Sequence, residues 1–179
     1  MHMHPTHNLE VKLNYRSLFL TLVFFVSTQF GVVSALAEDG EGEWIKDQNG
    51  CKHFNPHPQV NENLTWSGAC KDGYAEGNGK IKWNVDGKLA EEYEGDYMRG
   101  RPEGKGAMTS HENGQKYNGE WKEGVPTGEG KLMMPDGTTY VGQFLNWRFE
   151  GVGELTSPDG RSIYGEWANG ELITKLQRN

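Results

Sequence analysis

From Trp66 to the C-terminal end, bulky apolar residues alternate with polar ones in short runs, and Asp-Gly or Asn-Gly pairs separate the runs. Trp66, Tyr93, Tyr117, Tyr140 and Ile163 each stand two residues before a glycine; Cys70, Tyr97, Trp121, Phe144 and Trp167 stand two residues after it. Side chains spaced by two share one face of a strand. The positions between them are mostly polar: Glu94 and Asp96, Asn118 and Glu120, Gln143, Glu166. A second run follows in each unit, with Ile81, Met108, Leu132 and Leu155 placed two residues beyond a Gly-x-Gly. Alternation closed by Asp86-Gly87, Asn113-Gly114, Asp136-Gly137 and Asp159-Gly160 predicts one β-hairpin per unit. Successive hairpins then continue a single antiparallel meander of about nine strands, spaced by roughly 4.8 Å.

The glycines sharpen this reading. All 21 glycines from Gly68 onward fall on one template, whose first glycines are Gly68, Gly95, Gly119, Gly142 and Gly165. Glycine recurs five residues later in four units, with Trp147 as the exception, and again as the Gly-x-Gly pairs 77/79, 104/106, 128/130 and 151/153. A repeat near 23 residues belongs to stacked-unit architectures. A glycine inside a strand weakens the sheet unless something needs the missing side chain. Each first glycine lies between two bulky positions, and the expectation is a slot for a ring from the neighbouring hairpin.

Tyr93-Glu94-Gly95-Asp96-Tyr97, Gly100, Gly104-x-Gly106, and Tyr117-Asn118-Gly119-Glu120-Trp121, Gly124, Gly128-x-Gly130, Pro135-Asp136-Gly137 resemble MORN (membrane occupation and recognition nexus) repeats. The resemblance covers about 66–174, with units starting near 66, 93, 117, 140 and 163. It implies an all-β fold: an elongated single-layer antiparallel meander of stacked hairpins. It also implies a non-enzymatic scaffold for protein interaction or self-association, with phospholipid contact as a second family theme. Three departures stand out: a longer first unit with Lys88–Glu92 after its turn, Cys70 in an aromatic position, and Asn146-Trp147-Arg148-Phe149-Glu150 where a glycine-centred turn belongs.

Residues 1–37 have a different character. Lys12 and Arg16 precede the apolar run Leu18–Val26, and Ala35-Leu36-Ala37 supplies small residues before a cleavage point. This is the pattern of a cleaved signal peptide, and the run is too short for the roughly 20 residues of a membrane span. Residues 38–65 then form an acidic leader and an N-terminal cap, and 66–179 the repeat domain. Leu172–Leu176 is expected to cap the far end, because free sheet edges invite pairing. The remainder after residue 37 has 16 basic against 24 acidic residues. That excess disfavours nucleic acid or anionic lipid held by charge alone.

Export places the protein where disulfides persist, periplasmic or extracellular. Cys51 and Cys70 are the two cysteines, and joining them would pin the cap over the first strand. Cys51, His53, His57 and Cys70 also admit a zinc reading, although their spacing matches no standard finger. Asn63-Leu64-Thr65 is an N-glycosylation acceptor, conditional on the host.

Catalytic chemistry finds little support. Glu76, Glu103 and Glu150 recur before the Gly-x-Gly, with Thr127 in their place in the third unit. They read as solvated or as answering Lys80, Lys105 and Lys131. A general acid needs burial or a like charge to raise its pKa, and a one-layer sheet offers little depth. No enzyme activity and no cofactor or metal is expected. The rings Trp66, Tyr93, Tyr97, Tyr117, Trp121, Tyr140, Phe144 and Trp167 form the repeat's aromatic face. Trp147 and Phe149 are the candidate contact for a protein partner, for a second copy, or for a membrane or envelope glycan.

Overall fold

The computed structural model describes residues 42–178. The signal peptide and most of the acidic leader expected at 1–37 and 38–43 lie outside the described residues. No helix occurs among the described residues, which form one open sheet of 13 strands. The strands are β1 (Glu43–Lys46), β2 (Lys52–Asn55), β3 (Glu62–Trp66), β4 (Ala69–Lys71), β5 (Tyr74–Val85), β6 (Lys88–Met98) and β7 (Arg101–Ser110), then β8 (Lys116–Lys122), β9 (Val125–Met133), β10 (Thr139–Leu145), β11 (Arg148–Thr156), β12 (Ser162–Ala168) and β13 (Glu171–Lys175). From β5 onward each strand pairs antiparallel with the next, so the meander is continuous.

The larger number of strands comes from the N-terminal cap and from a break in the first repeat strand. At Ser67-Gly68 that strand splits into β3 and β4, and both pair with β5. The β1–β2 hairpin joins β5 through a single parallel register pair, Lys52 with Tyr74. The Cys51–Cys70 disulfide adds a covalent tie between cap and β4, its Cα atoms 5.7 Å apart. Both thiols are thereby consumed, which removes the sulfur ligands of the zinc alternative. At the opposite end the expected cap is the last strand itself. All five residues of β13 are exposed, and Leu172 reaches back toward Gly165.

The core is the aromatic face, and its burial without a second layer has a direct cause. Gly95 pairs with Gly106, Gly119 with Gly130 and Gly142 with Gly153 across each hairpin. A Cβ on Gly95 would stand 2.7 Å from the Tyr93 hydroxyl and 2.5 Å from the Gly106 Cα. The slot is thus filled by the tyrosine of the same hairpin, not by a ring from the neighbouring one as the sequence suggested. Each tyrosine lies down over a glycine pair, and its hydroxyl donates to a backbone carbonyl beyond: Tyr93 to Asp96, Tyr117 to Glu120, Tyr140 to Gln143. Burial pushes the phenols of Tyr93, Tyr97 and Tyr117 above their ordinary pKa, so these phenols stay protonated.

Successive units interlock through these rings. Tyr93 meets Trp121 at 5.1 Å, Tyr117 meets Phe144 at 5.1 Å and Tyr140 meets Trp167 at 5.6 Å, all edge to face. Such contacts contribute about 0.5–1.5 kcal/mol each beyond the area they bury. Trp121 and Trp167 also donate their indole N–H to the carbonyls of Gly106 and Gly153. Every ring expected on the aromatic face is buried: Trp66, Tyr93, Tyr97, Tyr117, Trp121, Tyr140, Phe144 and Trp167. That face is therefore interior.

Candidate functional site

The recurring glutamates have a structural task. Glu76 Oε2 accepts the backbone N–H of Arg99 at 2.9 Å, Glu103 Oε2 that of Glu123 at 2.9 Å, and Glu150 Oε2 that of Asn169 at 3.1 Å. The donors are the first residues of the next Xaa-Gly turns, each held at positive φ (48, 51 and 52°). Each carboxylate therefore locks the following hairpin's turn to its own strand. This differs from the expected pairing with Lys80, Lys105 and Lys131: Lys80 bonds Glu94 instead, at 3.3 Å. His111 pairs with Glu92 at 3.1 Å, an interaction that holds the Glu92 carboxyl below its usual range.

Thr127, which replaces the glutamate in the third unit, donates to the Val125 carbonyl instead. The turn facing it is the one that lacks glycine, Asn146-Trp147, with φ of 50 and 64°. A non-glycine residue in this region is strained, and ring contacts offset the cost. Trp147 is half-buried and meets Tyr117 at 5.7 Å and Trp121 at 5.6 Å, reaching back to the preceding unit. Phe149 is fully buried and stacked on Tyr140. The two rings expected to contact a partner therefore fold onto the sheet, and Phe149 has no surface to offer.

A group of exposed aliphatics lies on the opposite face of β10 and β11, apart from the more scattered Val60, Met98, Met133, Leu172 and Ile173. Val141, Leu145 and Val152 are 50, 49 and 42% exposed. The preceding unit carries Asn118, Lys122 and Glu129 at the same template positions. Asn63, the conditional glycosylation site, is exposed on β3, where its amide oxygen accepts a bond from Asn84 at 3.3 Å.

The N-terminal cap holds two further features that sequence reasoning missed. His53 is completely buried between Trp66 and Tyr97, 5.6 Å from each, and neither ring nitrogen has a partner. Trp44 is the one Trp, Tyr or Phe among the described residues that is exposed, at 44%. Both lie outside the repeat, so the template carried no signal for either.

No curated protein matches this sequence. A family model for the MORN repeat does match three consecutive stretches, each running through one of the hairpins described above. MORN repeats are generally non-catalytic and are generally involved in protein or membrane binding. Three MORN repeats are thus detected in the chain, at residues 93–114, 117–139 and 140–160.

Proposed function

We propose that this protein is an exported, non-enzymatic repeat scaffold that holds a protein partner, or a second copy of itself, in the cell envelope or extracellular space. The observation that carries the reading is the outer face of β10–β11. There Val141, Leu145 and Val152 stand exposed where the preceding unit is polar or charged. Exposed aliphatics grouped on one hairpin mark an interaction site. The disulfide supports export, since such bonds persist in oxidising compartments. The aromatic face makes no contribution, because its rings are already covered.

Transplanting the preceding unit's residues tests this directly, as Val141→Asn, Leu145→Lys and Val152→Glu together. The expected result is loss of self-association by light scattering, or of a partner cross-linked from envelope extract, with an unchanged melting temperature. A wild-type chain that is monomeric at high concentration and captures nothing overturns the reading. So does a triple variant that associates like the wild type.

A further inference from the structure

Trp44 forms one wall of a cleft where the cap hairpin meets the row of Xaa-Gly turns. Tyr74, Met98, Arg99, Arg101, Glu103 and Glu123 line the rest. Trp44 and Tyr74 meet edge to face at 5.1 Å with planes 75° apart, giving an aromatic corner. Gly100 makes room for it: a Cβ there would lie 2.7 Å from the Trp44 ring and 2.6 Å from the Lys52 carbonyl. The Trp44 ring thus rests on the turn between β6 and β7 while keeping 44% of its surface open.

The charges of this cleft are balanced and largely uncommitted. The Arg101 guanidinium lies 3.4 Å over Phe54 and 5.3 Å from Trp44, and among the described residues its N–H donors enter no hydrogen bond or ion pair. Among the described residues, the side chains of Arg99 and Glu123 enter no hydrogen bond or ion pair. Glu103 spends Oε2 on the Glu123 N–H and keeps its other oxygen. Two cations and two carboxylates sit around one aromatic corner without pairing among themselves.

That composition selects a ligand class. An anion would face two carboxylates, and a cation two guanidinium groups. An apolar segment would cover four charges and give them no partner, at high desolvation cost. A neutral polyhydroxylated ring meets all the demands: its apolar C–H face suits the indole, and its hydroxyls both accept from guanidinium and donate to carboxylate.

We infer that this cleft is a saccharide-binding subsite for a neutral pyranose ring. The ring stacks on Trp44, Arg99 and Arg101 donate to its hydroxyls, and Glu103 and Glu123 accept from them. The site is separate from the β10–β11 face, and neither proposal depends on the other.

Isothermal titration of the full chain with a neutral β-1,4-glucan tetrasaccharide and an N-acetylglucosamine tetramer tests the inference, with a sulfated tetrasaccharide as the charge control. The expected outcome is binding of a neutral oligosaccharide at about millimolar affinity or better. Trp44→Ala then weakens it about tenfold or more, as loss of a central aromatic anchor does. Because Trp44 also packs on Phe54 and Tyr74, Arg99→Ala and Glu123→Ala serve as companions that leave these ring contacts intact. Each weakens binding severalfold at an unchanged melting temperature. Binding of neither neutral oligosaccharide, preference for the sulfated one, or affinity unchanged in all three variants overturns the inference.

Discussion

Phe149 lies flat against Tyr140, with ring centroids 3.7 Å apart and planes inclined by only 7°. The template position of Phe149 is held by Pro102 and Pro126 in the two preceding units, and by Ala75 in the first. In this unit the added ring is closed in by Phe144 at 5.8 Å and Trp167 at 5.6 Å, both edge-on. A large side chain thus joins the fourth unit to the fifth. Phe149→Ala should cost about 3–5 kcal/mol, the range for deleting a buried phenylalanine. Urea denaturation monitored by fluorescence measures it, and binding assays on the folded variant should be unaffected.

The glutamate bonds make a second prediction about coupling. Glu150→Ala removes the acceptor for the Asn169 N–H and should destabilise by about 1 kcal/mol, with Glu150→Gln retaining most of the stability. At the exceptional position, Thr127→Glu and Trp147→Gly together rebuild the arrangement seen around Glu103 and Gly124. Trp147→Gly alone forfeits the contacts to Tyr117 and Trp121. The double variant should recover part of that loss, giving a favourable interaction energy of about 0.5–1 kcal/mol in a double-mutant cycle. Strict additivity would show that the Thr127 and Trp147 departures are unrelated.

What could be read from the sequence follows the range of each interaction. Period-two alternation and the glycine template are local, so the hairpins, the shared face of the aromatic positions and the glycine slots were all legible, whereas the burial of that face was not. The occupant of each slot was not, because Tyr93 has the choice of its own hairpin or the next, and alternation does not distinguish them. The role of Glu103 was hidden for another reason: its partner is a backbone N–H 20 residues away, on a turn that any residue could supply. Phe149 stood out as a departure, yet its burial depends on Trp167 in the following unit. His53 suggested a ligand beside cysteines, and only the packing of Trp66 and Tyr97 on either side reveals a buried neutral ring.

The close Tyr–glycine packing sets a third expectation. A methyl group on Gly153 would collide with the Tyr140 ring, including its hydroxyl. Tyr140 is fully buried and has Phe149 stacked on it, so it has nowhere to retreat. Gly153→Ala should therefore cost more than the same change at Gly160, where no atom stands within 4 Å of an added Cβ and only the backbone strain of its φ of +84° is felt. Melting temperatures of the two variants compare these effects, and an equal loss would contradict the slot.

The disulfide should act locally. Cys51 and Cys70 are 19 residues apart, and closing a loop of that size is worth about 3 kcal/mol in the chain-entropy model. The cap otherwise holds to the meander by one register pair with β5, by Lys52 N–H to Gly73 and Phe54 N–H to Gly100, and by the packing of His53 on Trp66 and Tyr97 and of Trp44 on Tyr74. Reduction, or Cys51→Ala with Cys70→Ala, should therefore raise hydrogen exchange in β1 and β2 while β7–β12 keep their protection. Uniform loss of protection through β12 would mean that the cap and the repeats unfold as one unit.

Acid should open the same cap through His53. Burial lowers the His53 imidazole to about 4 from the ordinary 6.5, against the weaker opposing pull of the Asp47 carboxylate. The unfolded chain therefore takes up this proton at higher pH than the folded one. The contribution is fully present above about pH 6.5, is lost as pH falls toward 4, and amounts to about 3 kcal/mol at the acid limit. The rings of Trp66 and Tyr97 offer the imidazolium no hydrogen-bond acceptor, and neither imidazole nitrogen has another. His53→Phe keeps an aromatic ring between them and removes the titration. Denaturation midpoints measured from pH 7.5 to 4 should fall more steeply for the wild type than for His53→Phe, with the difference opening below about pH 6.5. Parallel curves across that window would show that the acid sensitivity of the cap resides in groups other than His53.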